Sequence, residues 1–338
     1  MTNTIYTASI LVFLSFFSCG QNGRYSETFY PMGGIPVTLT AWDVSKEQFD
    51  TAFEQAKDEV NSLEGLLSSY VLSSDVSRVN KQGSAKVEPP TLTLIDQAVN
   101  LSKTTEGAFD ITISPVIDLW KNGEETGAIP NEQELSMALN RTGSSKIKLS
   151  RSKSTVTLSE LGMKIDLGGI AKGYIAQRAL SVMTKHGISR GIVDAGGDVV
   201  MTSGKTDKAF RVGIKNPRTG EGKYAILSVA SGAVVTSGCS ERTINIGNKR
   251  YCHIIDPRTG KPVSNELLSI TVLAKEASAA DAYATALYVL GSQDGFALAK
   301  SLPEIEAVFL YQNENGQIKR RVTPGLKGKI EYIMPTGG

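Results

Sequence analysis

Lys164–Tyr174 reads KIDLGGIAKGY. Apolar Ile165 and Leu167 alternate with Lys164 and Asp166, the period of a half-buried strand, and a strand is expected over Met163–Leu167. Gly168, Gly169 and Gly173 then open a turn into a helix that presents Ile175, Ala179, Val182 and Met183 on one face and stops at Gly187. Glycines at a helix N-terminus let backbone amides approach an anion, and Lys172 adds a full positive charge. The run lacks the Lys-Ser/Thr of a Walker A loop and is not GxGxxG. On spacing alone, a tight strand-to-helix turn and a phosphate site both stay open.

Working outward, Val37–Trp42 is a short alternating stretch. Ser45 and Gln48 then form a capping-box pair opening a helix with Phe49, Phe53, Ala56, Val60, Leu63 and Leu67 on one face. Pro89-Pro90 precedes a second helix, about Thr93 to Thr105, closed by Gly107. Lys146–Leu149 and Thr155–Leu158 read as a hairpin. Beyond Gly187, strands are expected at Ile192–Ala195, Val199–Thr202, Arg211–Ile214 and Ala225–Val229. Thr243–Ile246 and Lys249–His253 flank the hairpin signal Gly247-Asn248. Ser269–Ala274 is a strand, Ala279–Leu290 a helix ending at Gly291, and Ala307–Tyr311 with Gln317–Val322 a last hairpin. Antiparallel strands interleaved with a few long helices predict an α+β fold, mixed and largely antiparallel, with no linker dividing it.

The 338 residues carry 36 Lys+Arg against 34 Asp+Glu, a net charge of +2, without the basic excess of a nucleic-acid binder. Hydrophobic residues make up 41%, ample for a core. Two histidines and three cysteines argue against a His-rich zinc site, an iron–sulfur cluster and a disulfide framework, so any metal should be a hard, oxygen-ligated cation. Cys239 and Cys252 flank the hairpin but are not in opposing register about Gly247-Asn248, which argues against their pairing.

From Tyr6 to Phe17 the chain is apolar or small, too short to span a bilayer as a helix, and it stops at Ser18-Cys19-Gly20. This is the form of a lipoprotein signal over residues 1–18, with Cys19 lipidated and residues 19–30 a tether. It implies an extracytoplasmic protein, lipid-anchored to the bacterial inner membrane and facing the periplasm. No Lys or Arg precedes the run, so an apolar N-terminal element of a cytoplasmic protein is the alternative.

Three further segments carry candidate chemistry. In SAADAYATALYVLG, Ser278–Gly291, Asp281 and Thr285 project from one helical face and suit one small cation. Ser278 and Asp281 are also spaced as N-cap and N3, so a capping role for Asp281 is the open alternative. In HIIDPRTGKP, His253–Pro262, an imidazole stands at a strand end before an Asp-Pro turn, where it titrates near neutrality; a hydrogen-bonded turn histidine is equally open. In GAFDITISPVIDLW, Gly107–Trp120, a helix stop leads into an alternating segment. There Phe109 can stack on an aromatic ligand and Asp110 can accept from one, or they are a core aromatic and a turn carboxylate. The turn Asp194-Ala-Gly-Gly-Asp198 reads first as a sharp bend.

Taken in order, Met32-Gly33, LSSYVLSSDVSRVN, GAFDITISP, DLGGIAKGY, DAGGD, VVTSG, HIIDPRTGKP and ADAYATAL resemble the FAD:protein FMN transferases, the flavin-trafficking (ApbE) family, over about Met32 to Tyr311. The resemblance implies a single transferase domain over residues 31–338, made of two closely associated lobes with FAD between them and Mg²⁺ at its pyrophosphate. FMN would pass to a Ser or Thr hydroxyl of a partner, with AMP leaving. The partner would be a membrane redox complex subunit or a secreted flavoprotein. By motif position, the metal ligands would be the Gly169 carbonyl, Asp281 and Thr285. Flavin contacts would fall on Met32, Tyr70, Ala108, Phe109, Asp110, Asp166, Lys172 and Ile255. His253 would lie near the scissile phosphate, a candidate general base with Asp281 as a substitute. Asp194 stands where the family often has Asn, and Cys239-Ser240 where Asp-Tyr is frequent. Two rival readings are an Mg²⁺-dependent FAD pyrophosphatase giving FMN and AMP, and a non-catalytic flavin-binding lipoprotein.

The anchor is directly testable. The Cys19→Ala variant should move from the membrane pellet to the soluble fraction, and its retention in the pellet would dismiss the lipid anchor.

Overall fold

The computed structural model describes residues 23–202, 208–239 and 243–333, so Cys19 and the apolar run before it lie outside the described residues. The stretch expected as a tether is in part a strand: β1 (Gly23–Phe29) pairs antiparallel with β2 (Val37–Val44). Its aromatic residues explain why, since Tyr25 stacks on Phe49 and Phe29 meets Phe53 edge-on.

Helix α1 (Lys46–Leu67) is capped by Ser45, whose hydroxyl accepts from the Gln48 amide N–H, and it buries the expected face. Only half of the capping box forms, because the Gln48 side chain donates to the His186 carbonyl. Helix α2 (Asp75–Gln82) was not foreseen as an element; Ser74 caps it, and its strand partner β3 (Ser84–Lys86) follows directly. In α3 (Pro89–Thr104) the two prolines occupy the first turn, where a missing N–H is harmless, so the helix starts before Thr93.

A single 3-10 turn, Ile111–Ile113, leads into α4 (Ser114–Thr126) and then α5 (Glu132–Leu139). The alternating segment expected up to Trp120 is therefore helical: Ile113, Val116, Ile117 and Trp120 follow helical spacing and share one cluster. Strands β4 (Ile147–Ser150) and β5 (Thr155–Leu158) form the expected hairpin and add β3.

Met163–Leu167 is extended but is not a strand. The Asn80 side chain takes both backbone groups of Ile165, donating to its carbonyl and accepting from its N–H, while the Asp166 N–H reaches the Ile111 carbonyl. With those partners satisfied, the segment has no need of a ladder. Helix α6 (Ala171–Lys185) follows the glycine turn.

The remaining elements are β6 (Arg190–Ala195), β7 (Asp198–Met201), β8 (Phe210–Lys215), β9 (Lys223–Val229), β10 (Gly232–Ser237), β11 (Thr243–Ile246), β12 (Lys249–Cys252), β13 (Ile255–Asp256), β14 (Lys261–Pro262) and β15 (Leu267–Ala274). They are completed by α7 (Ala277–Ser301), β16 (Ile305–Gln312), β17 (Ile318–Val322) and β18 (Ile330–Tyr332). Helix α7 breaks at Gly291, where φ is 82°.

The central sheet has eight strands in the order β1-β2-β6-β7-β10-β15-β16-β17, every neighbour antiparallel. Both of its faces are covered. Ala233, Val235, Ile270, Val272, Ala307 and Phe309 face the core of α1, α6 and α7. Val234, Val308 and Leu310 face the other way, onto Phe210, Leu227 and Val229 of the small β18-β9-β8 sheet. A third, smaller core joins Val116 and Trp120 of α4 with Leu135 of α5, Ile244 and Ile246 of β11, and Ile255. The α+β class is as expected, with a layered body and this smaller cluster beside it.

The first turns of α6 and α7 pack backbone against backbone: a Cβ on Gly173 would overlap the Ala277 carbonyl. Gly173→Ala should destabilise by about 2 kcal/mol or more, measured by urea unfolding. Gly65→Ala, in α1 with nothing nearby, should stabilise by about 0.5–1 kcal/mol.

Candidate active site

The N-termini of α6 and α7 meet at a buried charge cluster. Asp281, on the first turns of α7, is 2% exposed, and Asp198, at the start of β7, is 3% exposed. The Lys172 ammonium lies between them, 2.9 Å from Asp198 and 3.3 Å from Asp281. The Gly173 N–H also donates to Asp281, at 3.3 Å. Ser278 does not cap α7: the helix begins two residues earlier than expected, and the Ser278 hydroxyl donates to Gln97. Asp281 is therefore turned across to α6 and has no part in closing its own helix.

One cation serves two carboxylates in this cluster. Burial, and then the Asp281 charge, push Asp198 up to about 8. Burial by itself would lower Lys172, yet Asp198 and Asp281 hold it above the ordinary lysine range. The site has room in its charge balance for further positive charge.

Beside the cluster, Gly169, Thr285 and Phe109 close on one another. A Cβ on Gly169 would stand 3.2 Å from the Phe109 ring and 3.7 Å from the Thr285 hydroxyl. A larger residue at Gly169 would fill this space. Ala108 and Phe109 are buried, held by the turn after α3 in which the Phe109 N–H donates to the Thr105 hydroxyl. Asp110 is turned to its own fold: its carboxylate accepts from the backbone and hydroxyl groups of both Thr112 and Ser144.

Asp166 sits at the mouth, accepting from the Ser69 hydroxyl and the Gly168 N–H. The adjoining Tyr70 is 77% exposed, and Lys121 donates to its hydroxyl while lying 5.2 Å from the ring centre. Met32 lies in the turn after β1 with φ 52°. The Asp194–Asp198 bend packs on that loop, with the Gly196 N–H bonded to the Pro36 carbonyl. Asp194 itself accepts from the Gly197 N–H.

His253 is half-buried in the bend between β12 and β13, and Ile255 is buried in β13 opposite Pro262. The loop after it reaches Gly107 through Arg258 and α4 through the Trp120 indole, which donates to the Gly260 carbonyl. Cys239 and Cys252 form a disulfide with Cα atoms 5.0 Å apart, correcting the expectation from hairpin register. Cys252 faces Thr243 across the hairpin, and its partner lies two residues beyond the end of β10, so the register about Gly247-Asn248 never bore on the pairing.

Two groups thus form, Lys172 with Asp281 and Asp198, and Gly169 with Phe109 and Thr285, and they are joined through α7, which carries both Asp281 and Thr285. Sequence reasoning had weighed Asp198 as part of a bend first and as a ligand contact second, with no link to Lys172. Its signal was an acidic residue directly after two glycines, a place where a turn delivers a side chain inward. The cleft of about 650 Å³ lined by Asn265, Glu266, Gly291, Ser292 and Asn313 holds no comparable cluster, since Glu266 there accepts from the Ser292 N–H. Among the described residues no helix is long and apolar enough to cross a membrane.

The chain can now be set beside known proteins. The FAD:protein FMN transferase of Treponema pallidum is 31% identical over 94% of this chain and 92% of its own length. That of Klebsiella pneumoniae is 30% identical over 87% of this chain and 92% of its own length. The crystal structure of the ApbE protein of Thermotoga maritima matches with a TM-score of 0.81 at 29% identity, covering 90% of this chain and 99% of that one. The flavin transferase ApbE of Vibrio cholerae matches with a TM-score of 0.77 at 26% identity, covering 91% and 99%. The ApbE family model spans residues 32–309, from the Met32 turn through both helix N-termini and the His253 bend, and the chain belongs to the ApbE family.

Proposed function

We propose that this chain is an FAD:protein FMN transferase, moving FMN from FAD to a Ser or Thr hydroxyl of a partner protein. The observation that carries the reading is the Lys172–Asp198–Asp281 cluster beside the space closed by Gly169, Thr285 and Phe109. The cluster is short of positive charge, and its neighbouring donors are all oxygens: the Asp281 carboxylate, the Thr285 hydroxyl and the Gly169 carbonyl. That set suits Mg²⁺ and not a soft metal. Bound there, Mg²⁺ would withdraw charge from the pyrophosphate oxygens of FAD.

The protein's own groups supply the rest. Lys172 presents an ammonium to the same phosphates, and Asp198, at 2.9 Å, would keep it in place were Asp281 to serve as a metal ligand. The Phe109 ring, 5% exposed and set against Gly169, supplies apolar backing to the site. His253 takes the proton of the acceptor hydroxyl on an imidazole nitrogen as that oxygen bonds to the FMN phosphorus. The P–O bond to AMP breaks and AMP leaves with the bond's electron pair.

The acceptor is a membrane redox complex subunit or a secreted flavoprotein. We propose that the chain works outside the cytoplasm, lipid-anchored through Cys19 to the inner membrane and facing the periplasm, with residues 31–338 as one transferase domain. The disulfide supports this reading, because such bonds persist in oxidising compartments.

Incubation with FAD and Mg²⁺, with and without an acceptor peptide, tests the reaction. FMN should appear on a Ser or Thr by mass spectrometry, with AMP released only when acceptor is present; AMP without acceptor would favour the pyrophosphatase. Asp281→Asn should lower transfer by about 100-fold or more, roughly 2.7 kcal/mol of activation free energy, and weaken Mg²⁺ binding in calorimetry while the circular dichroism spectrum is kept. A wild-type rate would overturn the metal assignment. Asp198→Asn should cost less, about tenfold, because Lys172 retains Asp281.

A further inference from the structure

We propose that the Cys239–Cys252 disulfide is a positioning crosslink for His253, setting the rate of FMN transfer without contributing to FAD binding. The proposal rests on the reading of His253 as proton acceptor. Its basis is where the two cysteines are attached. Cys239 follows β10, an inner strand of the eight-stranded sheet. Its backbone lies beside the hydroxyl of Tyr288, which donates to the Leu267 carbonyl. Tyr288 lies on α7, one turn beyond Thr285, so Cys239 sits against the helix that carries Asp281 and Thr285.

Cys252 stands where two cores meet: its own side chain and that of Ile254 pack in the main core. It ends the β11–β12 hairpin, whose Ile244, Ile246 and Tyr251 pack on α4 in the small third core. The Tyr251 ring lies against Trp120, and the Asn245 N–H donates to Glu124. Without the bridge, the bend at His253 would be held by the packing of Cys252 and Ile254 alone, beside a hairpin that seats on the small third core. With it, the residue next to His253 is bonded to the main body. The same sulfur closes the bend, since the Ile254 N–H donates to Cys252 Sγ at 3.4 Å. His253 is thereby gripped on both sides by one sulfur atom.

Of the groups expected to meet FAD, Ile255 adjoins the bend and the principal ones lie elsewhere. Gly169, Lys172, Asp166 and Phe109 are held by α1, α6, α7, β7 and the turn after α3. Loosening the bend therefore displaces the proton acceptor and leaves every expected FAD contact but Ile255 in place. A displacement of about 1 Å in a catalytic group is worth up to about 10²-fold in rate.

The test compares the oxidised chain with the chain reduced by dithiothreitol. The protein bridge gains two electrons and two protons to give two thiols, and the reagent closes to its cyclic disulfide. Iodoacetamide labelling and mass spectrometry count the thiols. Reduction should lower kcat about tenfold or more, with the Kd for FAD changing less than twofold, and it should shift the pH profile of kcat. Reoxidation should restore the rate. The Cys239→Ser, Cys252→Ser double variant should show the lowered kcat from the start and no response to dithiothreitol. In His253→Ala, already slow, reduction should add little. The proposal is overturned if the confirmed dithiol form keeps the full kcat, if FAD affinity falls in step with kcat, or if reduction unfolds the chain as judged by circular dichroism. An oxidised wild type that transfers no FMN would instead refute the functional reading, and a fully active His253→Ala would refute the role given to that residue.

Discussion

The contact between the first turns of α6 and α7 is the constraint on which the rest of the site depends. Gly173 leaves no room for a side chain against the Ala277 carbonyl, and that proximity brings Lys172 within reach of Asp281. Two buried carboxylates cannot stand together without a cation, and Lys172 answers both Asp281 and Asp198. The arrangement couples packing to charge. Any change that separates the two helices removes the counter-ion from two acids at once, and any loss of Lys172 leaves two acids repelling each other at the junction of three elements. The glycine and the ion cluster are one device seen from two sides.

The eight-stranded sheet makes that junction rigid. Its strands alternate between the helix layer and the small sheet, so that Val234 and Val235, or Val308 and Phe309, sit in different cores. Antiparallel sheets often leave one face to water. Here neither face is free, and the strands behind α7 have no freedom to slip without moving apolar side chains out of a core. The third core, around Trp120, is smaller and is joined to the rest by few elements, among them the Trp120 bond to Gly260 and the disulfide.

What could be read from the sequence followed the strength of local patterns. Helix α1, the β4–β5 and β11–β12 hairpins and the strands of the central sheet other than β1 and β10 carried clear periods or turn signals, and they formed close to where expected. Met163–Leu167 carried the period of a strand too, but Asn80, distant in the chain, took its backbone groups. The segment up to Trp120 alternates over its first residues only, and the helical spacing from Ile113 onward prevailed. Within the site, Lys172, Asp281 and Thr285 stood out because residue type and spacing matched a chemistry. Asp198 did not, because its meaning comes from a lysine reached only through the fold. The disulfide escaped for a similar reason: register within a hairpin says nothing about a strand that precedes it.

The strand order of the central sheet also bears on how the chain assembles. Read from one edge to the other, the strands appear in the order in which they occur in the chain. Each newly made strand finds its partner already at the open edge, so the sheet extends in one direction and no strand must be inserted between two already paired. The exception in distance is the step from β2 to β6, which spans α1 to α6 and waits for α6 to be made. Loop closure over that stretch is the entropic bottleneck of the topology. Until β6 arrives, β2 presents an unpaired edge rich in β-branched residues, the form of surface most prone to pair with another chain. A chain delivered N-terminus first, across a membrane or from a ribosome, holds that edge open for as long as the intervening helices take to emerge.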